Sequence, residues 1–204
     1  MSVYPQGQMT LSGQRVLRAT KRLFDVVLAL LLAPIAVVIC LPAMVVISLD
    51  TPGGPLFRQA RVGHRQNIFI LWKLRTMAQG TKHAGSHEVG EQALTRVGGV
   101  LRRLKIDELP QIWNVLRGDM SFVGPRPCLP SQTTLILERA ARGVFSLRPG
   151  ITGLAQIRRI DMSTPVLLAQ VDAEYLLTRS LRGDIELILG TVAGRGWGDA
   201  AKGA

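Results

Sequence analysis

Residues Leu23–Leu49 form an apolar run of 27 residues that carries a single charge, Asp25. About 20 such residues are enough for a helix to cross the hydrocarbon core of a bilayer. A secretory signal peptide is not expected, because the run is too long, begins after a head of 22 residues and precedes no small-residue cleavage site. The sequence therefore predicts a membrane segment, and the rest of the chain must fold beside a membrane.

Two features of this segment favour a re-entrant helix over a single crossing. Pro34 and Pro42 each remove a helix hydrogen bond and clash with the preceding turn, which favours a bend. Basic residues occur on both flanks, namely Arg15, Arg18, Lys21 and Arg22 before the run and Arg58, Arg61, Arg65, Lys73 and Arg75 after it. Positive charge on both sides indicates that both ends are cytoplasmic. We therefore expect a helix-break-helix that dips into one leaflet, with a tilted, kinked transmembrane helix as the alternative.

The charge of the chain predicts a negatively charged partner. The 204 residues include 25 Lys and Arg against 14 Asp and Glu, a formal net charge of +11. Phospholipid, a nucleotide and nucleic acid all fit this charge. Cys40 and Cys128 have neither metal-ligand spacing nor a disulfide framework, which fits a reducing compartment. The length allows one ordinary domain, so we divide the chain into residues 1–50, a head with the membrane helix, and residues 51–204, a globular domain.

The pattern of apolar residues in the globular domain predicts helices joined by short strands and turns. Residues 50–55 are predicted as a turn and residues 68–72 as a short strand. Helices are predicted over residues 94–105, 133–142, 165–178 and 180–192. Residues 81–92 are polar and predict a loop. His83 and His87 in that loop have the spacing of a metal pair, but no partner motif accompanies them and we do not expect metal ligation there.

The motif with the most chemical content is IDELPQIWNVLRGDMSFVGPRP, residues 106–127. We expect Asp107 to cap a helix that has Pro110 in its first turn and Gly118 at its end. The dipole of that helix would favour an Asp107 anion and attract phosphate. Two adjacent carboxylates repel each other unless a cation intervenes, and Mg²⁺ is the usual cation beside a diphosphate. One carboxylate can then attack while the other, Glu108, holds the metal; the alternative is that both are ordinary capping residues.

Several long motifs occur in the order that one protein family shows. They are Lys21–Asp25 (KRLFD), Gly53–Phe57 (GGPLF), Gln59–Gly63 (QARVG), Lys73–Met77 (KLRTM), the block 106–127 that ends in Pro125-Arg126-Pro127, and Arg148–Gln156 (RPGITGLAQ). Through them the chain resembles the bacterial sugar transferases, specifically the monotopic phosphoglycosyl transferases of the small, catalytic-core type. The resemblance extends over nearly the whole chain and argues against the capping interpretation of the two carboxylates.

This resemblance implies both a fold and an activity. The fold is α/β, mostly helical with short strands, and combines an N-terminal re-entrant membrane helix-break-helix with a compact cytoplasmic catalytic domain and interfacial amphipathic helices. The activity is a two-step transfer of a phosphosugar from a UDP-sugar to undecaprenyl phosphate at the inner face of the bacterial cytoplasmic membrane. Membrane phospholipid is a further expected partner, a homodimer stays open, and nucleic acid is not expected.

The resemblance also implies roles for individual residues. Asp107 matches the nucleophile, which would attack the sugar-linked phosphorus, release UMP and hold a covalent phosphosugar until the lipid phosphate displaces it. Glu108 matches the Mg²⁺ ligand. Because attack of one anion on another needs cations nearby, we expect the substrate phosphates to meet basic residues, namely Arg126 and also Lys73, Arg75, Arg102 and Arg148.

Two other functions would account for the charge and the membrane segment. They are a membrane-anchored binding protein without catalysis and a nucleic-acid-binding protein. Neither explains adjacent carboxylates followed by an arginine in a proline loop, and the ten aromatic residues form no recognisable stacking motif. The sugar is left open, because residues 128–130 and 157–161 differ from the pattern of many family members.

Overall fold

A computed structural model gives the fold and describes residues 11–78, 80 and 94–195. These residues form mostly helices with short strands, as predicted. The elements are α1 (Leu11–Asp50), β1 (Leu56–Val62), β2 (Ile68–Leu74), α2 (Arg96–Arg103), α3 (Gln111–Arg117), β3 (Ser121–Val123), α4 (Thr133–Ala141), β4 (Gly150–Thr152), α5 (Leu154–Ile157), α6 (Pro165–Thr178) and α7 (Leu181–Val192). The predicted loop over residues 81–92, with His83 and His87, lies outside the described residues.

The helix α1 is continuous through Pro34 and Pro42. The structure thus has one helix of 40 residues where the sequence predicted two halves separated by a break. Within it, Val16–Asp50 is long and apolar enough to cross a membrane, with a mean hydropathy of 2.9 in its apolar window. The re-entrant path of this helix stays a prediction.

One face of α1 packs against the rest of the chain and the other face is exposed. Ala29, Ala36 and Ile47 are buried on the packed face, at the spacing of residues that share one side of a helix. The exposed side chains include Leu30, Leu31, Ile35, Val38, Leu41 and Val45, each more than half exposed. An apolar surface of this extent is typical of a contact with lipid or with another protein.

Two small sheets and the helices around them form the globular part. β1 and β2 pair antiparallel over their full length, whereas β3 and β4 pair in parallel. β3 is contacted by α1, α3 and α7. The largest apolar cluster joins Ala29 and Ala36 of α1 to Val115 of α3 and Val123 of β3. The long apolar helix α1 is therefore part of the same core as the β3–β4 sheet.

The predicted helices are confirmed, with one correction at α2. The bounds of α4, α6 and α7 agree with the predictions to within one residue. α2 begins later than predicted, because Leu94 forms a β-bridge with Met77 and Thr95 caps the helix by accepting from the Gly98 N–H. Leu101 is buried, but Leu104 lies past the end of α2 and is 60% exposed.

Candidate active site

Asp107 and Glu108 lie in a short 3₁₀ turn, Ile106–Glu108, between α2 and α3. Both residues are buried, with 3% and 8% of their surface exposed. Lys105 starts the turn in the left-handed region, at a φ of 58°, which reverses the chain after α2. The carboxylates are therefore presented by a tight turn on the inside of the protein.

The prediction that Asp107 caps a helix is wrong. The 3₁₀ turn has no side-chain cap, and α3 starts only at Gln111, with Pro110 in the N-cap position. The first N–H groups of α3 already bond to backbone carbonyls, since Ile112 N–H donates to Leu109 and Trp113 N–H donates to Pro110. The other end is as predicted, because Gly118 closes α3 in the left-handed region with a φ of 89°.

The Glu108 carboxylate lies between two cations. Its Oε1 accepts a hydrogen bond from Lys73 Nζ at 3.1 Å and one from Arg126 Nη2 at 3.3 Å. Lys73 belongs to β2, and Arg126 to the loop after β3, so three separate segments meet at this oxygen. Because the groups are shielded from water, their attraction is stronger than at the surface. The two cations also reduce the repulsion between the adjacent carboxylates.

The loop that carries Arg126 is fixed to β4 through its backbone. The Gly124 N–H donates to the Thr152 carbonyl, and the Gly150 N–H donates to the Pro125 carbonyl, both at 2.9 Å. A β-carbon at Gly150 would lie 2.1 Å from the Gly124 nitrogen. The glycines thus allow the two segments to approach closely enough to form these bonds.

A second set of bonds holds the loop from the other side. Arg139 Nη1 donates to the Arg126 carbonyl at 2.8 Å, and Arg61 Nη1 donates to the Pro127 carbonyl at 2.9 Å. Arg139 also forms a buried ion pair with Asp172, at 2.7 Å from its Nη2. These three residues were not among the predicted site residues. Through them, β1, α4 and α6 set the position of the Arg126 loop.

The other three predicted substrate arginines have different contacts. Arg75 Nη2 donates to the carbonyls of Ile47 and Thr51 and so fastens the C-terminal end of α1 to β2. Arg102 Nε donates to the Thr76 hydroxyl at 2.9 Å. Arg148 Nε donates to the Gly118 carbonyl at 2.9 Å, and Arg148 lines a cavity that Glu108 does not line. The structure thus brings Lys73 and Arg126 to the carboxylates and assigns Arg75 to the packing of α1.

An apolar cavity of about 200 Å³ adjoins Glu108. Glu108 lines it together with Leu32 of α1, Phe122 of β3 and Ile188 of α7. Gln156 also lines it, and its buried Oε1 accepts no hydrogen bond from any described residue. The cavity therefore extends from a carboxylate of the site to the apolar helix α1.

Comparison of the sequence with models of known protein families assigns the chain to one of them. Residues 16–195 match the family model of the bacterial sugar transferases. The chain belongs to this family. The match starts within α1 and ends just after α7, so the carboxylate turn and the Arg126 loop both lie inside the shared region.

Several related sugar transferases have been named. A UDP-glucose:undecaprenyl-phosphate glucose-1-phosphate transferase of Caulobacter vibrioides is 43% identical over 183 residues, which cover 84% of this chain and 68% of the relative. A UDP-N-acetylgalactosamine-undecaprenyl-phosphate N-acetylgalactosaminephosphotransferase of Aeromonas hydrophila is 35% identical, with 84% of this chain and 42% of the relative covered. An exopolysaccharide production protein of Sinorhizobium fredii is 32% identical, with 85% and 84% covered. The chain thus spans less than half of the Aeromonas protein.

The carboxylates of this sugar transferase fit the ligand chemistry of Mg²⁺. Mg²⁺ prefers oxygen ligands, and beside nucleotide phosphates it is usually held by one or two carboxylates together with phosphate oxygens and water. Asp107 and Glu108 offer two adjacent carboxylates. Among the described residues no group of three or more His, Cys, Asp or Glu side chains forms a complete protein cage. Two adjacent carboxylates are a donor set that suits an ion shared with phosphate oxygens and water.

Proposed function

We propose that this chain is a membrane-associated phosphoglycosyl transferase that moves a phosphosugar from a UDP-sugar to undecaprenyl phosphate and releases UMP. The observation that carries the proposal is the placement of Asp107 beside Glu108, whose carboxylate is bonded to Lys73 and Arg126. The names of the Caulobacter and Aeromonas relatives support the two substrates. In a bacterial cell this reaction would be the first membrane step in assembling an exopolysaccharide or another glycoconjugate.

The proposed reaction has two displacements at one phosphorus atom. In the first, an Asp107 oxygen forms a bond to the sugar-linked phosphorus, and the bond from that phosphorus to the bridging oxygen breaks, so that UMP leaves with the electron pair. In the second, an oxygen of undecaprenyl phosphate forms a bond to the same phosphorus and the Asp107 carboxylate is released. Both steps bring anions together, and Lys73 and Arg126 supply fixed positive charge for them.

Mg²⁺ held by Glu108 would neutralise part of the diphosphate charge and of the departing UMP. Lys73 and Arg126 set the direction of the Glu108 carboxylate, since both donate to the same oxygen. The apolar cavity beside Glu108 supports an acceptor with a hydrocarbon chain, because it reaches Leu32 on the membrane helix. A water-soluble acceptor would make no favourable apolar contact with this lining.

The decisive experiment measures UMP release by the purified chain in nanodiscs with Mg²⁺, undecaprenyl phosphate and a panel of UDP-sugars. We expect release with at least one donor, and we expect chelation of Mg²⁺ or the substitution Glu108→Gln to stop it. Glu186→Gln is the matched control, because Glu186 lies on α7 with a side chain that is 64% exposed. Absence of UMP with every donor, from protein shown to be folded, would contradict the proposed function.

We also propose that both ends of α1 face the cytoplasm at the inner membrane. Residues from Asp25 to Ile47 on one face of α1 pack against the globular part, which is easier to reconcile with a helix at the membrane surface than with one surrounded by lipid. In spheroplasts, a membrane-impermeant maleimide should label neither Ser2→Cys nor Ser131→Cys until the membrane is opened. The parent protein controls for Cys40 and Cys128. Labelling of Ser2→Cys alone in intact spheroplasts would indicate a full crossing.

A further inference from the structure

A second cavity, of about 340 Å³, lies at the N-terminal part of α1. Its walls come from α1, the 3₁₀ turn His64–Gln66, β3 and the start of α7. Ser121 and Val123 of β3 line this cavity, whereas Phe122 between them lines the apolar cavity beside Glu108. Since neighbouring residues of a strand point to opposite faces, β3 separates the second cavity from the candidate active site.

Basic side chains outnumber acidic ones around this cavity. Two carboxylates line it, Asp25 and Asp184, against six basic residues, namely Arg18, Lys21, Arg22, Arg65, Arg148 and Arg179. His64 adds a seventh nitrogen-bearing side chain, and burial together with Arg148 keeps the pKa of its imidazole below the ordinary value. The cavity therefore has a marked excess of positive charge.

Both carboxylates are already satisfied within the protein. Asp184 accepts from Lys21 Nζ at 2.6 Å and from the Tyr175 hydroxyl at 2.7 Å. Asp25 accepts from the Ser121 hydroxyl at 3.0 Å and from the Phe122 N–H at 3.1 Å. Even with both carboxylates counted, the lining carries four more basic than acidic side chains.

The six basic side chains differ in how they are bonded to the described residues. Within the described part of the chain, Arg18, Arg65 and Arg179 make no side-chain hydrogen bond and no ion pair, whereas Arg22 and Arg148 donate to backbone carbonyls. Arg179 is half-buried, and burial and the nearby Arg18 lower the pKa of its guanidinium. Crowded guanidinium groups that are partly withdrawn from water are stabilised by a bound anion.

The start of α7 adds to this positive potential. Ser180 caps the helix by accepting from the Gly183 N–H, and both Ser180 and Leu181 line the cavity. The N-terminal end of a 12-residue helix carries a partial positive charge that favours phosphate. The planar guanidinium groups and the helix end together suit an oxyanion such as phosphate, whose oxygens can accept paired hydrogen bonds from a guanidinium.

The position of the cavity along α1 indicates the source of the anion. Arg18, Lys21 and Arg22 line the cavity, and the next residue, Leu23, begins the apolar run and is 64% exposed. The cavity therefore lies where α1 changes from charged to apolar, which is the depth of the lipid headgroups for a helix embedded in a bilayer. We propose that this cavity binds the phosphate of an anionic phospholipid headgroup and so fixes the depth of the protein at the membrane. This site does not depend on the proposed phosphosugar transfer.

The test counts phospholipids that stay bound to the full chain. Protein delipidated in dodecyl maltoside is titrated with phosphatidylglycerol or phosphatidylcholine and examined by native mass spectrometry. We expect one phosphatidylglycerol to be retained in preference to phosphatidylcholine. Arg18→Gln and Arg179→Gln should each weaken its retention about tenfold, because each removes a charge-assisted contact to phosphate. Arg182→Gln is the control, since Arg182 is also on α7 but has a side chain that is 91% exposed.

The outcomes separate a lipid site from the alternatives. Equal retention of both lipids, or an equal loss in Arg182→Gln, would mean a nonspecific surface charge and would overturn the proposal. Displacement of the lipid by inorganic phosphate at the same concentration would mean that the cavity takes a soluble phosphate instead. Circular dichroism reports whether each variant is folded. If Arg179→Gln does not fold, Arg18→Gln still tests the proposal, because Arg18 is exposed on α1 and its replacement should not disturb the fold.

Discussion

Replacing Asp107 with asparagine is expected to lower UMP release by about 10⁴-fold or more, because the variant lacks the attacking oxygen. Asparagine has nearly the same size as aspartate, so the buried turn Ile106–Glu108 should keep its shape. The Glu108 contacts to Lys73 and Arg126 come from other segments and should also remain. The measurement is the initial rate of UMP release in nanodiscs, with the donor that the wild-type chain accepts.

The covalent step can be tested separately from turnover. With a UDP-sugar and no acceptor, the wild-type chain should gain the mass of one phosphosugar, and Asp107→Asn should not. Asp119→Asn is the matched control, because Asp119 follows α3 and its side chain is 24% exposed beside Arg117. Normal turnover in Asp107→Asn would show that another group is the nucleophile. A mass gain that persists in this variant would place the phosphosugar on a different residue.

The sequence predicted best the features that depend on local patterns. The long apolar stretch of α1 follows from composition alone, and α6 was predicted to the residue over 165–178, with Pro165 in its first turn, where proline is tolerated. The position of Asp107 was predicted less well. A left-handed Lys105 and a proline in the N-cap position of α3 produce a separate turn, and backbone bonds within that turn replace the expected cap.

The roles of the arginines could not be read from sequence. A guanidinium donates equally well to a phosphate oxygen and to a backbone carbonyl, so the motif around Lys73–Met77 does not distinguish a substrate contact from a packing contact. Arg75 turns out to hold the end of α1 through the Ile47 and Thr51 carbonyls. Arg148 lies at the cavity across β3 from Glu108. Only the tertiary arrangement decides between these partners.

One missed feature did leave a signal in the sequence. Arg139 follows Leu135 by four residues on α4, and Asp172 follows Leu168 by four residues on α6, so both charges fall on the apolar face of their helix. Opposite charges at core positions of two helices predict that the helices pack together through a buried ion pair. The structure has this pair, with 2% and 3% of the two side chains exposed.

Breaking this ion pair with Arg139→Met should destabilise the protein by about 3–5 kcal/mol, because Asp172 would be left as a buried charge without a partner. For a chain of this size, that is a fall in melting temperature of roughly 6–20 °C. Arg142→Met is the control on the same helix, since Arg142 pairs with Glu138 near the surface and a surface pair contributes at most about 1 kcal/mol. An equal fall in melting temperature in the two variants would contradict the conclusion that the buried pair contributes more to stability than the surface pair.

The loss of folding stability in Arg139→Met should also depend on pH, and it should be smaller at acidic pH. Burial raises the pKa of Asp172, and Arg139 opposes that rise, so removing Arg139 raises the pKa further. A carboxyl whose pKa is higher in the folded state than in the unfolded state favours folding below the unfolded pKa, and this contribution is lost as the pH rises through the folded pKa. Acidification should therefore recover part of the stability of this variant relative to Arg142→Met, measured by thermal unfolding at several pH values.

The double variant Arg139→Met/Asp172→Leu separates the stability of the ion pair from its effect on the site. With both charges removed, the free energy of unfolding should return to within about 1 kcal/mol of the wild-type value. UMP release should stay reduced, because Arg139 also donates to the Arg126 carbonyl and the loop that presents Arg126 to Glu108 would still lack this bond. Small displacements of a group that faces a reacting phosphate cost a large part of the rate. Full recovery of both stability and turnover would instead mean that Arg139 serves only to neutralise Asp172, and that β4 and Arg61 position the Arg126 loop without it.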